Sequence, residues 1–393
     1  MEVILNYRTH IASSLSEIGQ AAWDGLVAVQ AQPNPFLSYA FLHALHESGS
    51  AAPETGWQPQ FIVLYEPAQG ATADGAAPER LAAALPLYVK DHSYGEYVFD
   101  WAWADAYRRN GLDYYPKLLS AIPFTPVSGA RLLARDAAAR AALVEVLCAT
   151  QGATEVSSTH VLFPPEDQAR QLQEAGFLLR SGVQFHWENR DYADFDAFLA
   201  TLEQKKRKNI RAERRKVKEA GVTLRRVRGR DATDEDWRFF TRCYRHTYAE
   251  HHSTPYLNLD FFRRIGRGMP DKLLLVIAER EGSPIAASLV VHDADTLYGR
   301  YWGALEHVAC LHFETAYYQP LEFCIEQGIR VFEGGAQGEH KMARGFLPTR
   351  TWSAHWLAHP AFADAVERFL AQEAGGIDGY IDELRDRTPF RGA

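Results

Sequence analysis

Between Ile329 and Phe346 the chain places a short apolar run, the glycines Gly334, Gly335 and Gly338, and then Glu339, His340, Lys341 and Arg344. Ile329, Val331 and Phe332 read as a brief buried strand. The glycines allow a sharp turn or a close backbone approach to a ligand. Side chains that follow such a strand stand at the rim of a sheet. Open α/β sheets hold ligands outside the carboxyl ends of their strands, so an acid, an imidazole and two cations there can act on a bound substrate. The competing reading is a solvated polar loop.

A second chemistry-bearing segment is cationic. From Lys205 to Lys218, nine of fourteen residues are basic and only Glu213 is acidic. Phe195, Phe198, Leu199, Leu202, Ile210 and Val217 recur at near-helical spacing and Gly221 follows where a helix would stop, which predicts one amphipathic helix over 195–220. Its polar face carries Lys205, Lys206, Arg207, Lys208 and Arg211. Such a run is either a solvated face or a phosphate-binding rail for a phosphorylated ligand, a nucleotide-linked substrate or RNA. The whole chain has a formal charge of −8, so one concentrated basic face is the exception on an acidic surface.

The elements that must position these groups follow from length and pattern. A chain of 393 residues that is 47% hydrophobic is expected to form two domains with two cores. No apolar stretch approaches the ~20 residues of a membrane helix and no charged start precedes a short apolar core, so a cytoplasmic protein without membrane insertion is expected. Cys148, Cys243, Cys310 and Cys324 show neither a C-x-x-C pair nor zinc-like spacing, as for reduced thiols. His251 and His252 are adjacent, but there is no H-E-x-x-H helix, and no metal is expected.

Helices are expected at 23–30, 39–47, 115–121, 137–149 and 165–175, and strands at 61–66, 81–90, 97–103, 155–163 and 177–187, with 67–79 a surface loop. After the basic helix come a strand at 222–227, helices at 235–249 and 259–265, and three strands between 273 and 302. A helix at 313–326, strands at 329–333 and 351–357, and a terminal helix from Phe362 complete the pattern. The halves echo each other. Gly176-Phe177 is followed by His186-Trp187, and Gly345-Phe346 by His355-Trp356 at the same spacing. Trp101 and Trp103 mirror Tyr301-Trp302 as the close of an aromatic strand, and Tyr114-Tyr115 mirror Tyr317-Tyr318 in a following helix. This ordered set argues for two copies of a mixed α/β domain, 1–190 and 191–393, with a ligand cleft between the copies.

The basic segment with Arg207, Ile210, Arg211, Lys216 and Ala220-Gly221-Val222, the strand meander, the long helix and the Glu333 to Phe346 stretch together resemble the FemAB group of acyltransferases. The resemblance is closest to its branch labelled predicted N-acyltransferase or peptidoglycan biosynthesis/recognition, and includes Asn34 to Ser38, Tyr94 to Tyr107 and Pro123 to Val127. It covers nearly the whole chain. It implies two tandem GNAT-type domains of α/β (α+β) class and transfer of an acyl or aminoacyl group to an amine. The acceptor would be a peptide-like or phosphorylated molecule, and the donor either aminoacyl-tRNA or acyl-CoA. The long coiled-coil arm of some relatives has no counterpart here. Neither domain carries the Q/R-x-x-G-x-G/A turn with which GNAT domains cradle pyrophosphate, which lowers acyl-CoA. A ligand-recognition protein without turnover, or acyl-CoA-dependent acylation of a small amine, are the alternatives.

Amine acylation needs an oxyanion donor and a proton acceptor. Lys341 matches by motif position the lysine that FemAB relatives carry after their last strand, and Arg344 is the second choice for the oxyanion. Glu333, Glu339 and His340 are the candidates for proton acceptance; His340 could equally hydrogen-bond the loop. Substrate contacts are expected from Asp100, Trp101, Trp103, Asp105 and Tyr107 in the first domain, by charge and cation–π attraction. In the second domain they are expected from Tyr248, His251, His252 and Tyr256, and from His312, Glu314 and Gln337.

Overall fold

The computed structural model describes residues 7–66, 71–72, 75–76, 79–335 and 338–391. The chain folds into two compact units: Met1–Gly182 with Thr351–Ile377, and Val183–Arg350 with Asp378–Ala393. Neither unit is a continuous half of the sequence, in contrast to the expected division at 190/191.

In the first unit the strands Arg8–Ala12, Phe61–Glu66, Arg80–Leu85 and Leu133–Ala134 form an antiparallel sheet. The expected strand 81–90 is interrupted at Pro86, and its second part, Tyr88–Lys90, pairs instead with Lys117–Ser120. Lys117–Ser120 runs parallel to Ser158–Leu162, with the Ala137–Ala153 helix as crossover. Ser158–Leu162 then pairs antiparallel with the Leu347–Leu357 strand, where His160 faces His355.

The second unit repeats this plan. Val222–Arg228, Leu273–Arg280, Ser283–His292 and Thr296–Ala304 form an antiparallel meander. The last of them runs parallel to Val331–Glu333 across a helical segment from Leu311 to Gln327. Val331–Glu333 pairs antiparallel with the Leu178–Glu188 strand, where His186 faces Glu333. In each unit, therefore, the strand beside the parallel pair comes from the other half of the sequence, which is why the units are discontinuous. The fold is a tandem of GNAT-type α/β units. The echo between Gly176/His186 and Gly345/His355 marks these two equivalent strands.

Three expectations are corrected. Trp101–Arg109 is a helix, not the end of a strand: Trp103 and Tyr107, four residues apart, are buried while Trp101 is 41% exposed, a 3.6-residue rather than a two-residue period. Lys117–Ser120 is a strand, not a helix, buried on both faces as an inner strand of a partly parallel sheet is. Tyr114 and Tyr115 thus precede a strand, and the aromatic part of the repeat does not hold. The basic segment forms two helices, Phe195–Thr201 and Gln204–Glu219. The break falls where buried Leu202 pairs with Phe390 and the Glu203 N–H donates to the Pro389 carbonyl. The expected loop 67–79 lies largely outside the described residues.

Candidate active site

The Val331–Glu333 strand turns Phe332 into the second unit's core, where it packs on Phe346 at 5.0 Å, and Glu333 to the opposite side. Gly334 ends the strand against this core; a Cβ there would lie 2.9 Å from the Phe346 ring. Gly338, with φ of 100°, then starts the 3-10 helix Glu339–Arg344, a conformation costly for any side chain.

That short helix separates its polar residues. Lys341 is 4% exposed, and its Nζ donates to the Gly335 carbonyl at 3.1 Å, so the ammonium stands at the carboxyl end of the strand. Burial pulls its pKa down to about 8. His340 is exposed, its Nε2 3.4 Å from the Tyr317 hydroxyl; partial burial, Arg344 and Lys341 lower its pKa. Two expectations change here. Glu339 is turned away, accepting from the Tyr380 hydroxyl at 2.9 Å and pairing with Arg387 at 3.3 Å. Arg344 is engaged on every side: Nε donates to Tyr318 Oη at 3.0 Å, Nη1 to the His340 carbonyl at 2.8 Å and Nη2 to Glu213 at 2.9 Å, with the guanidinium 3.5 Å over Phe313. Tyr318 also donates to Glu213. Arg344 therefore ties the 339–344 turn to the basic helix, and its guanidinium is fully engaged.

Glu333 is the unusual acid. Burial pushes its pKa up to about 8, with Arg300 opposing and Asp293 adding to the shift. Its Oε2 is buried with no hydrogen-bond partner among the described residues. His186 opposite is held down near 4 by burial and by the charge of Lys341. Its repeat position was visible in the sequence, but its neighbourhood to Glu333 and Lys341 was not.

A pocket of about 100 Å³, reached from this strand by Phe332 and Gly334 and not by Glu333, His186 or Lys341, is walled by Arg300, Tyr301 and Trp302 on one strand and by His312 and Tyr317 on the helix. The ladder pairs Leu289 with Tyr301 but Val290 with Gly299, so Arg300 is a bulge residue at the pocket wall, a place where sheets commonly re-aim groups at a site. The buried Tyr301 Oη has no hydrogen-bond partner among the described residues. His312 packs on Trp302 at 5.3 Å. Burial, with the nearby His340, Arg344 and Lys341, depresses its pKa to about 4, so it is a neutral imidazole. A π-helical turn, Glu314–Tyr318, aims Tyr317 at the pocket and Tyr318 at Glu213.

A second pocket, of about 350 Å³, shares Trp302 and His312 with the first. Its wall includes His246 and Glu250 from the Asp234–Glu250 helix and Glu306, His307 and Phe313 beyond the strand. None of these except His312 was singled out from the sequence; a helical i, i+4 pair carries no local signal of a pocket.

The remaining expected contacts fall elsewhere. Glu314 is 3% exposed and receives two bonds from Arg214 at 3.0 and 3.1 Å, which makes it part of the helix packing. Tyr248 packs tilted against Tyr244 and edge-on against Tyr256, and His251 and His252 are exposed at the helix end; none lies on the two pocket walls. Gln337 lies outside the described residues. On the basic helix Lys205, Lys208 and Arg211 are exposed, Arg211 with a pairing to Asp196 at 2.8 Å, while Arg207 donates to the Leu202 carbonyl at 3.2 Å and Lys206 is half-buried.

In the first unit Asp100 is not a surface ligand but belongs to a buried ion cluster. Lys117 Nζ donates to Asp100 at 2.5 Å, Glu96 at 2.8 Å and Ser93 at 2.7 Å. Burial raises the Glu96 pKa to about 7, whereas for Asp100 the Lys117 ammonium overcomes burial and holds the carboxyl low. The chain of bonds continues through Tyr114 to His160 at 3.0 Å and on to His355 at 2.8 Å. Trp103 and Tyr107 are core residues, Asp105 is an exposed partner of Arg108 and Arg109, and Trp101 stays in solvent. Among the described residues no cluster could hold a metal ion and no helix is long and apolar enough to cross a membrane.

The fold agrees with solved structures at low sequence identity. The structure of FemX superposes with a TM-score of 0.54 at 11% identity, covering 89% of this chain and 98% of that one. A conserved protein of unknown function from Bacteroides thetaiotaomicron VPI-5482 gives 0.51 at 12%, covering 88% and 99%. A tandem GNAT protein from the clavulanic acid biosynthesis pathway is similar at 12% identity over 90% of this chain and 99% of that one, with a TM-score of 0.46. Among curated proteins none matches the sequence. A family model described as peptidoglycan biosynthesis/recognition matches residues 14–392, and the chain belongs to that FemAB-like family.

Proposed function

We propose that the second unit transfers an acyl or aminoacyl group to an amine of a peptide-like or phosphorylated acceptor. The observation that carries this reading is the pair of groups at the end of one strand: a buried ammonium, Lys341, and a carboxyl, Glu333, whose Oε2 is buried without a hydrogen-bond partner among the described residues. Family membership supports the reaction class.

In this reading the acceptor nitrogen attacks the carbonyl carbon of the donor. The new C–N bond forms as the carbonyl electrons move to oxygen, and Lys341, with two of its three N–H groups not used by Gly335, donates to that oxyanion. The nitrogen's proton goes to ionised Glu333. Collapse of the intermediate breaks the bond to the leaving oxygen or sulfur, which takes the proton back from Glu333. A carboxyl titrating near 8 is matched to this task at neutral to mildly alkaline pH. His312, neutral on the wall, accepts a hydrogen bond from the amine and keeps positive charge away from it.

For the donor, the exposed Lys205, Lys208 and Arg211 favour a polyanion such as tRNA. The test is amide formation by purified protein from aminoacyl-tRNA and from acyl-CoA, in wild type and in Lys341→Met. Turnover that survives Lys341→Met and Glu333→Gln unchanged would overturn the assignment.

A further inference from the structure

The C-terminal helix, Pro360–Asp386, carries the chain back into the second unit, to which Asp378–Ala393 belongs. Pro389 follows soon after the helix stops, and the tail closes on the break between the helices Phe195–Thr201 and Gln204–Glu219. The Pro389 carbonyl accepts from the Glu203 N–H at 2.9 Å, the Arg391 N–H donates to the Thr201 carbonyl at 3.0 Å, and Arg391 Nε donates to the Leu202 carbonyl at 3.0 Å. Phe390 between them is buried in the second unit's core, with the Arg190 guanidinium 4.9 Å over its ring. The tail thus takes up backbone at the start of the basic helix, where N–H groups lack partners within the helix.

The same segment holds the 339–344 turn. Tyr380 Oη donates to Glu339 at 2.9 Å, and Arg387 pairs with Glu339 at 3.3 Å. The other end of the turn is held by Arg344, whose Nη2 donates to Glu213 of the basic helix at 2.9 Å. Lys341 lies between these two anchors. The contacts close a ring: from Glu339 through Arg387 to the tail, from the tail to Leu202 and Glu203, along the basic helix to Glu213, and through Arg344 back to the turn.

We propose that Arg387 and Phe390 are positioning residues, clamping the 339–344 turn to the basic helix and so fixing where the Lys341 ammonium stands. This rests on the acyl-transfer reading above, in which that ammonium meets the oxyanion, and adds what holds it in place. Among the described residues the one hydrogen bond from Lys341 Nζ goes to the Gly335 carbonyl, so the backbone of the turn decides where the charge is presented. A displacement of about 1 Å in a group that acts on a transition state can cost about 10²-fold in rate. Glu339, an acid among the chemistry-bearing residues of the loop, is in this ring the tether of the turn.

Amide hydrogen exchange of the full chain, read by mass spectrometry beside kcat and KM for amide formation, tests this. The Lys341, Gly345 and Phe346 N–H groups donate to the Gly338, Met342 and Lys341 carbonyls and report opening of the turn. Arg387→Ala is expected to speed their exchange about fivefold and to lower kcat about tenfold with KM unchanged, and Arg387→Lys to restore both. The Arg387–Glu339 pair is half exposed and adds little to global stability, so the melting temperature should move by less than about 2 °C. Phe390→Ala should open the turn in the same way. Arg385→Ala, which removes an exposed pairing with Asp382 near the end of the same helix, should not. Exchange in the turn that stays at the wild-type rate in Arg387→Ala and Phe390→Ala, faster exchange with undiminished kcat, or an equal fall of kcat in Arg385→Ala would overturn the proposal. A wild-type chain that forms no amide would count against the acyl-transfer reading instead, and the exchange rates would still decide whether the clamp exists.

Discussion

Glu333 stands directly opposite His186 in the antiparallel pairing of their strands, and the usual order of the two groups is reversed there. The carboxyl titrates near 8 and the imidazole near 4. Burial disfavours the charged form of each, so at neutral pH the acid keeps its proton and the base has none.

The rate of amide formation should follow a narrow bell centred near pH 8. Glu333 must lose its proton to act, so the rate climbs as pH rises through about 8. Lys341 must keep its own, so the rate falls as pH rises through about 8. The two limbs overlap, and the apparent values belong to the pair. Lys341→Arg, cationic to far higher pH, should remove the alkaline limb in a pH–rate profile.

Lys341→Met should lower kcat by about 10²- to 10³-fold with little change in KM, the pattern for an interaction made only in the transition state. Steady-state kinetics at saturating donor measures it. A parallel loss in KM would mean that Lys341 holds the substrate instead.

Glu333→Gln should lower kcat by about 10²- to 10⁴-fold and abolish the acid limb. Its melting temperature should not fall, since the buried Glu333 Oε2 makes no hydrogen bond among the described residues that an amide must replace.

Arg344→Met should act on stability. The side chain is 6% exposed and bonded to Glu213, Tyr318 and the loop backbone, so truncation leaves partly buried partners unmatched at a cost of about 2–4 kcal/mol. Denaturant unfolding reads this cost, and the alkaline limb of the pH profile should stay in place.

The first unit's ion cluster gives a pH-dependent stability. Lys117→Met should destabilise by about 3–5 kcal/mol, because it strands buried carboxylates. Glu96 has a folded pKa raised to about 7 from an ordinary 4.5. Its contribution is therefore fully present below 4.5 and is lost as pH rises through 7. Glu96→Gln should flatten the stability profile across that window, as followed by thermal melting from pH 4 to 8.

How far the sequence reached is visible in particular residues. Periodicity marked the meander, the helices around 137–153 and 234–250, and the strand that ends at Glu333, because long amphipathic runs encode their own period. The motif from Glu333 to Arg344 drew attention to the turn in which the structure buries Lys341 and the Oε2 of Glu333. Local pattern could not decide short apolar runs: Lys117–Ser120 and Trp101–Arg109 exchanged strand and helix because burial on both faces, or on one side of a helix, is set by what packs against them. Nor could it separate Arg344 from Lys341, two buried cations three residues apart whose difference is the presence of Glu213, Tyr318 and Phe313 around one of them. His186 meets Glu333 only through strand pairing, and Glu250 and Trp302, distant from the loop in sequence, reach the pockets only through strand pairing and helix packing. The sequence by itself determined most of the elements, the family and the segment whose residue types could do chemistry. Which acid is enclosed, which cation is bonded away and where the carboxylates line a pocket were decided by tertiary structure, because burial and charge pairing are properties of neighbours the chain brings together only on folding.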